Sequence, residues 1–286
     1  MGVFRDRMDQ DMQIRGLSAR TREEYLACAK NFVKYYRTPP DQLGLEEFRL
    51  YQLHLINDRK ISFSYFNQIV CALRFLFNVT LQRGWDLDRL PYQKREQRLP
   101  PILSEAEVAA IIESAACLRD RSILMILYGC GLRVAELQHL GVADIDSGRM
   151  MLRVQLGKGA KDRDVPLPER LLPVLRQYWT TCRPRGYLFL GGRPGQPLSA
   201  HVIQTMVKST AQRAGVAKHV TPHVLRHAFA THHLEHGANI RQVQLLLGHR
   251  SLRSTMRYLH VSGNSLRQTA SPLDRLPDRI TMAPSW

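Results

Sequence analysis

Four short stretches of this 286-residue chain hold side chains whose types and spacing could do chemistry. In "YGCGLRVAEL", Arg133 follows two glycines and an apolar segment, and Glu136 lies three residues later, on the same face of a helix. In "GKGAKDR", Lys158 sits in a glycine-containing turn. In "TPHVLRHAFATHHLEHG", Pro222 suits a first helical turn, and His223, Arg226 and His227 fall at i, i+3 and i+4 near that helix start. In "LLLGHRSLRSTMRYLHV", His249 follows a glycine stop and Tyr258 comes nine residues after it. A helix N-terminus already favours anions, so one arginine and two histidines there describe a phosphate pocket. Each piece alone is bland. Arg133 and Glu136 read as a surface pair worth little, and Tyr258, among apolar and basic residues, reads as packing.

Two other chemistries fit less well. Eight of the eleven histidines lie within 219–260, and His223/His227 and His232/His236 have the i, i+4 spacing of a zinc-protease helix. The glutamate of HExxH is missing, as are the cysteines and carboxylates a metal usually adds, so no metal is expected. "GKGAKD" lacks the GxxxxGK[ST] spacing of a phosphate-cradling loop and is followed by a strand, so no nucleotide cofactor is expected.

The elements that must carry these residues follow from periodicity. "TREEYLACAKNFVKYY" sets Tyr25, Cys28, Ala29, Phe32, Val33 and Tyr36 on one helical face, with Thr21 and Glu24 at capping-box spacing and "TPPD" as the stop. Further helices are predicted over 45–57, with Phe48, Tyr51 and Leu55 inward, and over 62–83, with Ile69, Leu73, Leu76 and Thr80 on one side. Residues 91–101, "PYQKREQRLPP", hold three prolines and little that could pack, which reads as a linker. "SEAE" then opens a helix over 104–116 with a capping box. A buried helix is predicted at 122–129 and strands at 150–156 and 163–167. Helices return at 169–180, 200–214, 222–236 and 239–249, and Ser251 is expected to cap a last helix carrying Tyr258. The chain therefore reads as mostly α with a small β-sheet. A helical domain spans 1–98, and an α+β domain with a C-terminal tail spans 99–286.

Charge narrows the partner. The chain carries 41 Lys+Arg against 25 Asp+Glu, a net charge of +16. The excess is not a tail: residues 1–98 hold 17 basic and 12 acidic residues, and the remainder 24 and 13. Arginine, suited to bidentate phosphate contact, outnumbers lysine, so a polyanion is the expected partner. No apolar run of about 18 residues suggests a membrane span, and the charged N-terminus lacks a signal-peptide core, so a cytoplasmic location is expected. The five cysteines (28, 71, 117, 130 and 182) are scattered, with no CxxC, and read as small buried hydrophobes.

The order of the pieces is more specific than any one of them: Arg, Lys in a hairpin, His-x-x-Arg, Gly-His, Tyr. With "GLRVAEL", "GKGAKDR", "HVLRHAFATHHLEHG", "LLGHRSLRSTMRYLHV" and the N-terminal "SARTREEYLACAKNF", the sequence resembles the tyrosine recombinase (phage integrase) family over nearly its whole length. Its length looks most like the compact Xer-type and transposon-borne members. The resemblance implies a helical core-binding domain that clamps duplex DNA with a catalytic domain, and four protomers on two sites. It implies Tyr258 as nucleophile, Arg133 and Arg226 as clamps on the scissile phosphate, and His223 and His249 completing the pocket. Lys158 would protonate the leaving oxygen, with Lys161 as a competitor, and Glu136 would support the site. Arg250 stands where many members carry a small residue, and the tail, 262–286, would dock on a neighbour. The implied activity is metal- and ATP-independent strand exchange through a 3′-phosphotyrosyl link, for integration, resolution or transposition. A type IB topoisomerase-like nicking–closing enzyme and a non-catalytic DNA-binding accessory protein are the alternatives.

Overall fold

The structure, a computed structural model, describes residues 2–86, 91–93, 101–155, 162–193, 195–249, 251–256 and 258. The chain divides into two compact units, Met1–Arg98 and Leu99–Trp286.

The first unit is helical: α1 (Gly2–Ile14), α2 (Ala19–Tyr36), α3 (Leu45–Asn57) and α4 (Phe63–Phe75), the last continued by a π-helical turn, Leu76–Thr80. Phe32 on α2 is the hub of its core. Its ring meets Tyr36, Phe48, Tyr51 and Phe77 at centroid distances of 5.4, 6.1, 5.1 and 5.8 Å, all edge-on, the arrangement the aromatic quadrupole prefers. The expected inward faces of α3 and α4 are buried. Three expectations change. Helix α1 fully buries only two residues, Met8 and Met12, one turn apart, and was not foreseen. The cap of α2 is Ser18, whose hydroxyl accepts the Thr21 N–H, so the helix starts before the Thr21–Glu24 pair. The first linker residues are anchored: Asn67 exchanges two hydrogen bonds with the Gln93 backbone, and Arg74 lies over the Tyr92 ring at 4.4 Å.

The second unit opens with α5 (Glu105–Glu113), capped as expected by Ser104, followed by α6 (Leu118–Gly129) and α7 (Val134–His139). Strands β1 (Ile145–Asp146), β2 (Met151–Val154) and β3 (Arg163–Pro166) form an antiparallel sheet in that order, with Leu152 opposite Val165 and Val154 opposite Arg163. Helices α8 (Leu171–Cys182), α9 (Ala200–Arg213), α10 (Pro222–Glu235), α11 (Ile240–Leu247) and α12 (Leu252–Met256) complete it. Helix α10 is the axis of this unit. Thr221 caps it, Pro222 opens it, and every residue from Val224 to His232 is buried. The expected anion-facing group of His223, Arg226 and His227 is therefore split: Arg226 and His227 are covered by neighbours, and His223 alone of the three is exposed. Helix α12 stops at Met256, so Tyr258 stands in the turn beyond it, its N–H bonded to the Thr255 carbonyl at 3.0 Å. Of the cysteines, Cys28 and Cys130 are buried but Cys117 and Cys182 are exposed, against the expectation for all five. Burial pushes the Cys28 and Cys130 thiols up to about 11 and about 12. Among the described residues no helix is long and apolar enough to cross a membrane.

Candidate active site

Glu136 is the centre of a buried ionic cluster. It lies in the first turn of α7, with its side chain 4% exposed. Its Oε2 accepts the Arg133 backbone N–H at 2.8 Å, the carboxylate half of a capping box, and its Oε1 accepts Arg133 Nη1 at 2.6 Å. Arg133 reaches this position because the chain breaks sharply between α6 and α7. Gly131 there has φ +60°, and a Cβ on it would lie 2.5 Å from the Phe229 ring, so both conformation and space call for glycine.

Two more guanidiniums meet the same carboxylate. Arg226, 2% exposed on α10, places Nη1 3.6 Å from Glu136 Oε2 and donates to the carbonyls of Gly131 and Leu247. Arg163, at the start of β3, forms a fork with Nη1 2.9 Å from Oε1 and Nη2 3.0 Å from Oε2. Arg163 was not singled out in the sequence, although one signal existed. Strand alternation puts it on the buried Val165 side and Asp164 on the other.

The pKa directions follow. Burial pushes the Glu136 carboxyl up, but hydrogen bonds from Arg163 and Arg133 outweigh that and hold it at about 2. Because folding favours its charged form, this contribution is complete above the ordinary value of 4.5 and is lost as pH falls towards about 2. Burial, then the charges of Arg133 and Arg163, lower Arg226 to about 10 against the opposing pull of Glu136 and Tyr258, so it stays protonated at neutral pH. Three guanidiniums on one carboxylate leave a concentrated positive field with little water to screen it.

His249 and Tyr258 close the cluster. Gly248 ends α11 with φ +60° and turns the chain so that His249 Nε2 stands 3.4 Å from Arg226 Nη2. A guanidinium only donates, so Nε2 accepts there and Nδ1 carries the proton towards Thr255 Oγ1, 2.9 Å away. The Tyr258 ring, 7% exposed, lies between two imidazoles: His227 at 4.7 Å, tilted 47°, and His249 at 6.4 Å, near parallel at 8°. Tyr258 is thus both a packed residue, beside Phe229 and Leu247, and a neighbour of the cationic cluster. His227 as its nearest ring was not foreseen, since sequence placed it with the anion-facing group.

His223 is exposed and lines, with Arg133, Lys208 and His219, a groove of ≈ 630 Å³. The structure thus brings Arg133, Glu136, Arg226, His249 and Tyr258 into one network, with His223 at the groove beside Arg133. Lys158, its competitor Lys161, Arg250 and the tail 262–286 lie outside the described residues. The tempting His232 is committed elsewhere. Its Nε2 faces the Leu103 carbonyl and its Nδ1 the Tyr128 hydroxyl, each at 2.9 Å.

Comparison with known proteins agrees with this architecture. Residues 4–87 match "Phage integrase, N-terminal SAM-like domain" and residues 101–265 match "Phage integrase family". The chain is 43% identical over 278 residues to "Putative integrase/recombinase y4qK" of Sinorhizobium fredii, covering 97% of this chain and 90% of that one. It is 39% identical over 207 residues to the tyrosine recombinase XerA of Pyrococcus horikoshii, 71% of each. In fold it superposes on the Tn1549 transposon integrase in complex with circular intermediate DNA, with a TM-score of 0.73 over 96% of this chain and 99% of that one, at 18% identity. The family match and the recombinase relatives together define an enzyme of DNA strand exchange. The chain belongs to the phage integrase family, as a tyrosine recombinase.

Proposed function

We propose that Tyr258 is the nucleophile of this recombinase, acting in a pocket made by Arg133, Lys158, His223, Arg226 and His249, with Glu136 in support. The phenolic oxygen attacks the scissile phosphorus. A P–O bond to tyrosine forms and the bond to the 5′-oxygen breaks, leaving a 3′-phosphotyrosyl link. The phenolic proton passes to His249 Nε2, which gives up its long contact with Arg226 to accept it, and the departing 5′-oxygen takes a proton from the Lys158 ammonium. Attack by the 5′-hydroxyl of a second strand runs the step backwards and restores Tyr258. Phosphorus keeps a diester throughout, so neither ATP nor a metal is consumed.

Negative charge grows on the non-bridging oxygens during attack. Arg133 and Arg226 offer preset donors to it, which stabilises the transition state more than the ground state. Tyrosine ionises near pH 10 when unperturbed, and neighbouring cations favour the phenolate. His223, at the groove beside Arg133, adds a donor to the phosphate. The helical unit 1–98 clamps the duplex, and four protomers assemble on two sites in the cytoplasm. The observation that carries this reading is the packing of Tyr258 against His249, whose Nε2 meets the buried Arg226.

The test is an adduct selection. The protein is incubated with a randomised library of nicked duplexes, denatured, and the DNA still attached is sequenced. A denaturant-stable adduct at a defined sequence is expected, and Tyr258→Phe abolishes it. No adduct with wild type, or an adduct that survives Tyr258→Phe, overturns the assignment. Plasmid relaxation with no preferred sequence would favour a nicking–closing enzyme.

A further inference from the structure

Glu136 is held by three arginines, but they are not equivalent. The side chain of Arg133 is 37% exposed and lines the groove, and Arg226 sits against His249. Arg163 is different. Its side chain is 10% exposed, its Nη1 and Nη2 fork onto the Glu136 carboxylate, and its Nε donates to the Leu246 carbonyl at 2.8 Å. All three of its nitrogens are engaged inside the protein, on Glu136 and Leu246, whereas Arg226, equally enclosed, meets His249. The turn that presents His249 is built directly over it. A Cβ on Gly248 would lie 3.0–3.2 Å from the Arg163 side chain.

We infer that Arg163 is a positioning residue for strand cleavage: it fixes the Glu136 carboxylate that aims Arg133 and Arg226, and ties that carboxylate to the turn carrying His249. This inference rests on the pocket proposed above. Arg163 is the one described arginine whose guanidinium reaches both carboxylate oxygens, Nη1 to one and Nη2 to the other, while Arg133 reaches them through its backbone N–H and one Nη. Two-point contact fixes rotation as well as distance, which a single bond does not. With Arg163 gone, the carboxylate keeps its local bonds to Arg133 but loses its tie to β3 and to the end of α11, so the guanidiniums of Arg133 and Arg226 can shift relative to the turn carrying His249. Lysine, a point charge without the fork, cannot restore that geometry.

The test uses the full chain and a nicked duplex bearing the cleavage sequence recovered in the adduct selection. Single-turnover adduct formation, DNA affinity by gel shift and thermal unfolding are measured for Arg163→Lys, Arg163→Met, Glu136→Gln and the double variant Arg163→Lys/Glu136→Gln. Adduct formation should fall about 10²-fold in both single Arg163 variants, the size expected of a small misplacement, with DNA affinity nearly unchanged. The double variant should be no slower than Glu136→Gln alone, because both changes remove one linkage. Should Arg163→Met not fold, Arg163→Lys, which keeps the charge, carries the comparison. Near wild-type cleavage by Arg163→Lys, additive losses in the double variant, or a loss of affinity as large as the loss of rate each overturn the inference. Failure of the wild type to form an adduct overturns the Tyr258 assignment itself, a distinct result.

Discussion

The two units of this recombinase bury different chemistry. In the first, the interior is aromatic and aliphatic around Phe32, and Gln52 and Thr80 are its buried polar side chains among the described residues. In the second, an ordinary aliphatic core surrounds Glu136, Arg226, His227 and His232, all nearly closed to solvent. Apolar burial is non-directional and stabilises by area, so the first interior is built for stability. Buried charges carry a desolvation cost that only good geometry offsets, and three arginines on one carboxylate leave positive charge uncompensated. In the function proposed above, the scissile phosphate compensates it. The second unit therefore holds an internal charge imbalance that the first does not.

The largest effect that could break this contrast is on stability. Phe32→Ala removes the ring that four other aromatic rings pack against, and should destabilise the first unit by about 3–5 kcal/mol. Hydrogen exchange should then speed up in α2, α3 and α4 while the amides of α10 keep their protection. If α10 loses protection equally, the two interiors form one cooperative core and the contrast between them fails.

Arg226→Gln probes the other interior. It removes a desolvated charge that Arg133 and Arg163 oppose, while the new amide can still donate to one of the carbonyls Arg226 serves. Stability should change little, because the lost hydrogen bonds are offset by relief of that repulsion. Cleavage should fall about 10²–10³-fold, the usual loss for one preset donor at a developing oxyanion. A thermal midpoint that collapses along with the rate would make Arg226 a structural residue first.

How far each interior was legible in the sequence follows from the same contrast. Apolar periodicity is local, so the faces of α2, α3 and α4 could be read from a few residues each. Helix α1 escaped because Met8 and Met12 are its only fully buried residues, too short a pattern to separate from its charged neighbours. The cap of α2 was misplaced because Ser18 and Thr21 are both good capping residues three apart, and only the fold decides between them. In the second unit the order Arg133, Arg226, His249, Tyr258 was legible as a linear pattern. Arg163 was not, because its partner Glu136 is 27 residues away and a strand arginine beside an aspartate reads as a solvated pair. His227 was assigned to the anion-facing group for a related reason. A 3.6-residue period predicts which side a residue takes, not that every side of α10 is covered from Val224 to His232.

The smallest expected effect tests where the charged interior ends. Both units start helices with the same device: Ser18 accepts the Thr21 N–H at 3.2 Å, and Ser104 accepts the Glu107 N–H at 3.2 Å. Ser104 belongs to a longer chain of contacts. The Glu107 carboxylate caps the Ser104 N–H at 2.7 Å and pairs with Lys218, which also reaches the Ile102 carbonyl at 2.8 Å. These contacts are largely exposed, so solvent screens them. Ser18→Ala and Ser104→Ala should each destabilise their own unit by about 1 kcal/mol in thermal unfolding. Neither should alter the rate of adduct formation. Should Ser104→Ala slow cleavage while Ser18→Ala does not, the ionic network around Glu136 would have to extend through α5. The division would then lie between a charged unit and an apolar one, not between a charged site and the two scaffolds.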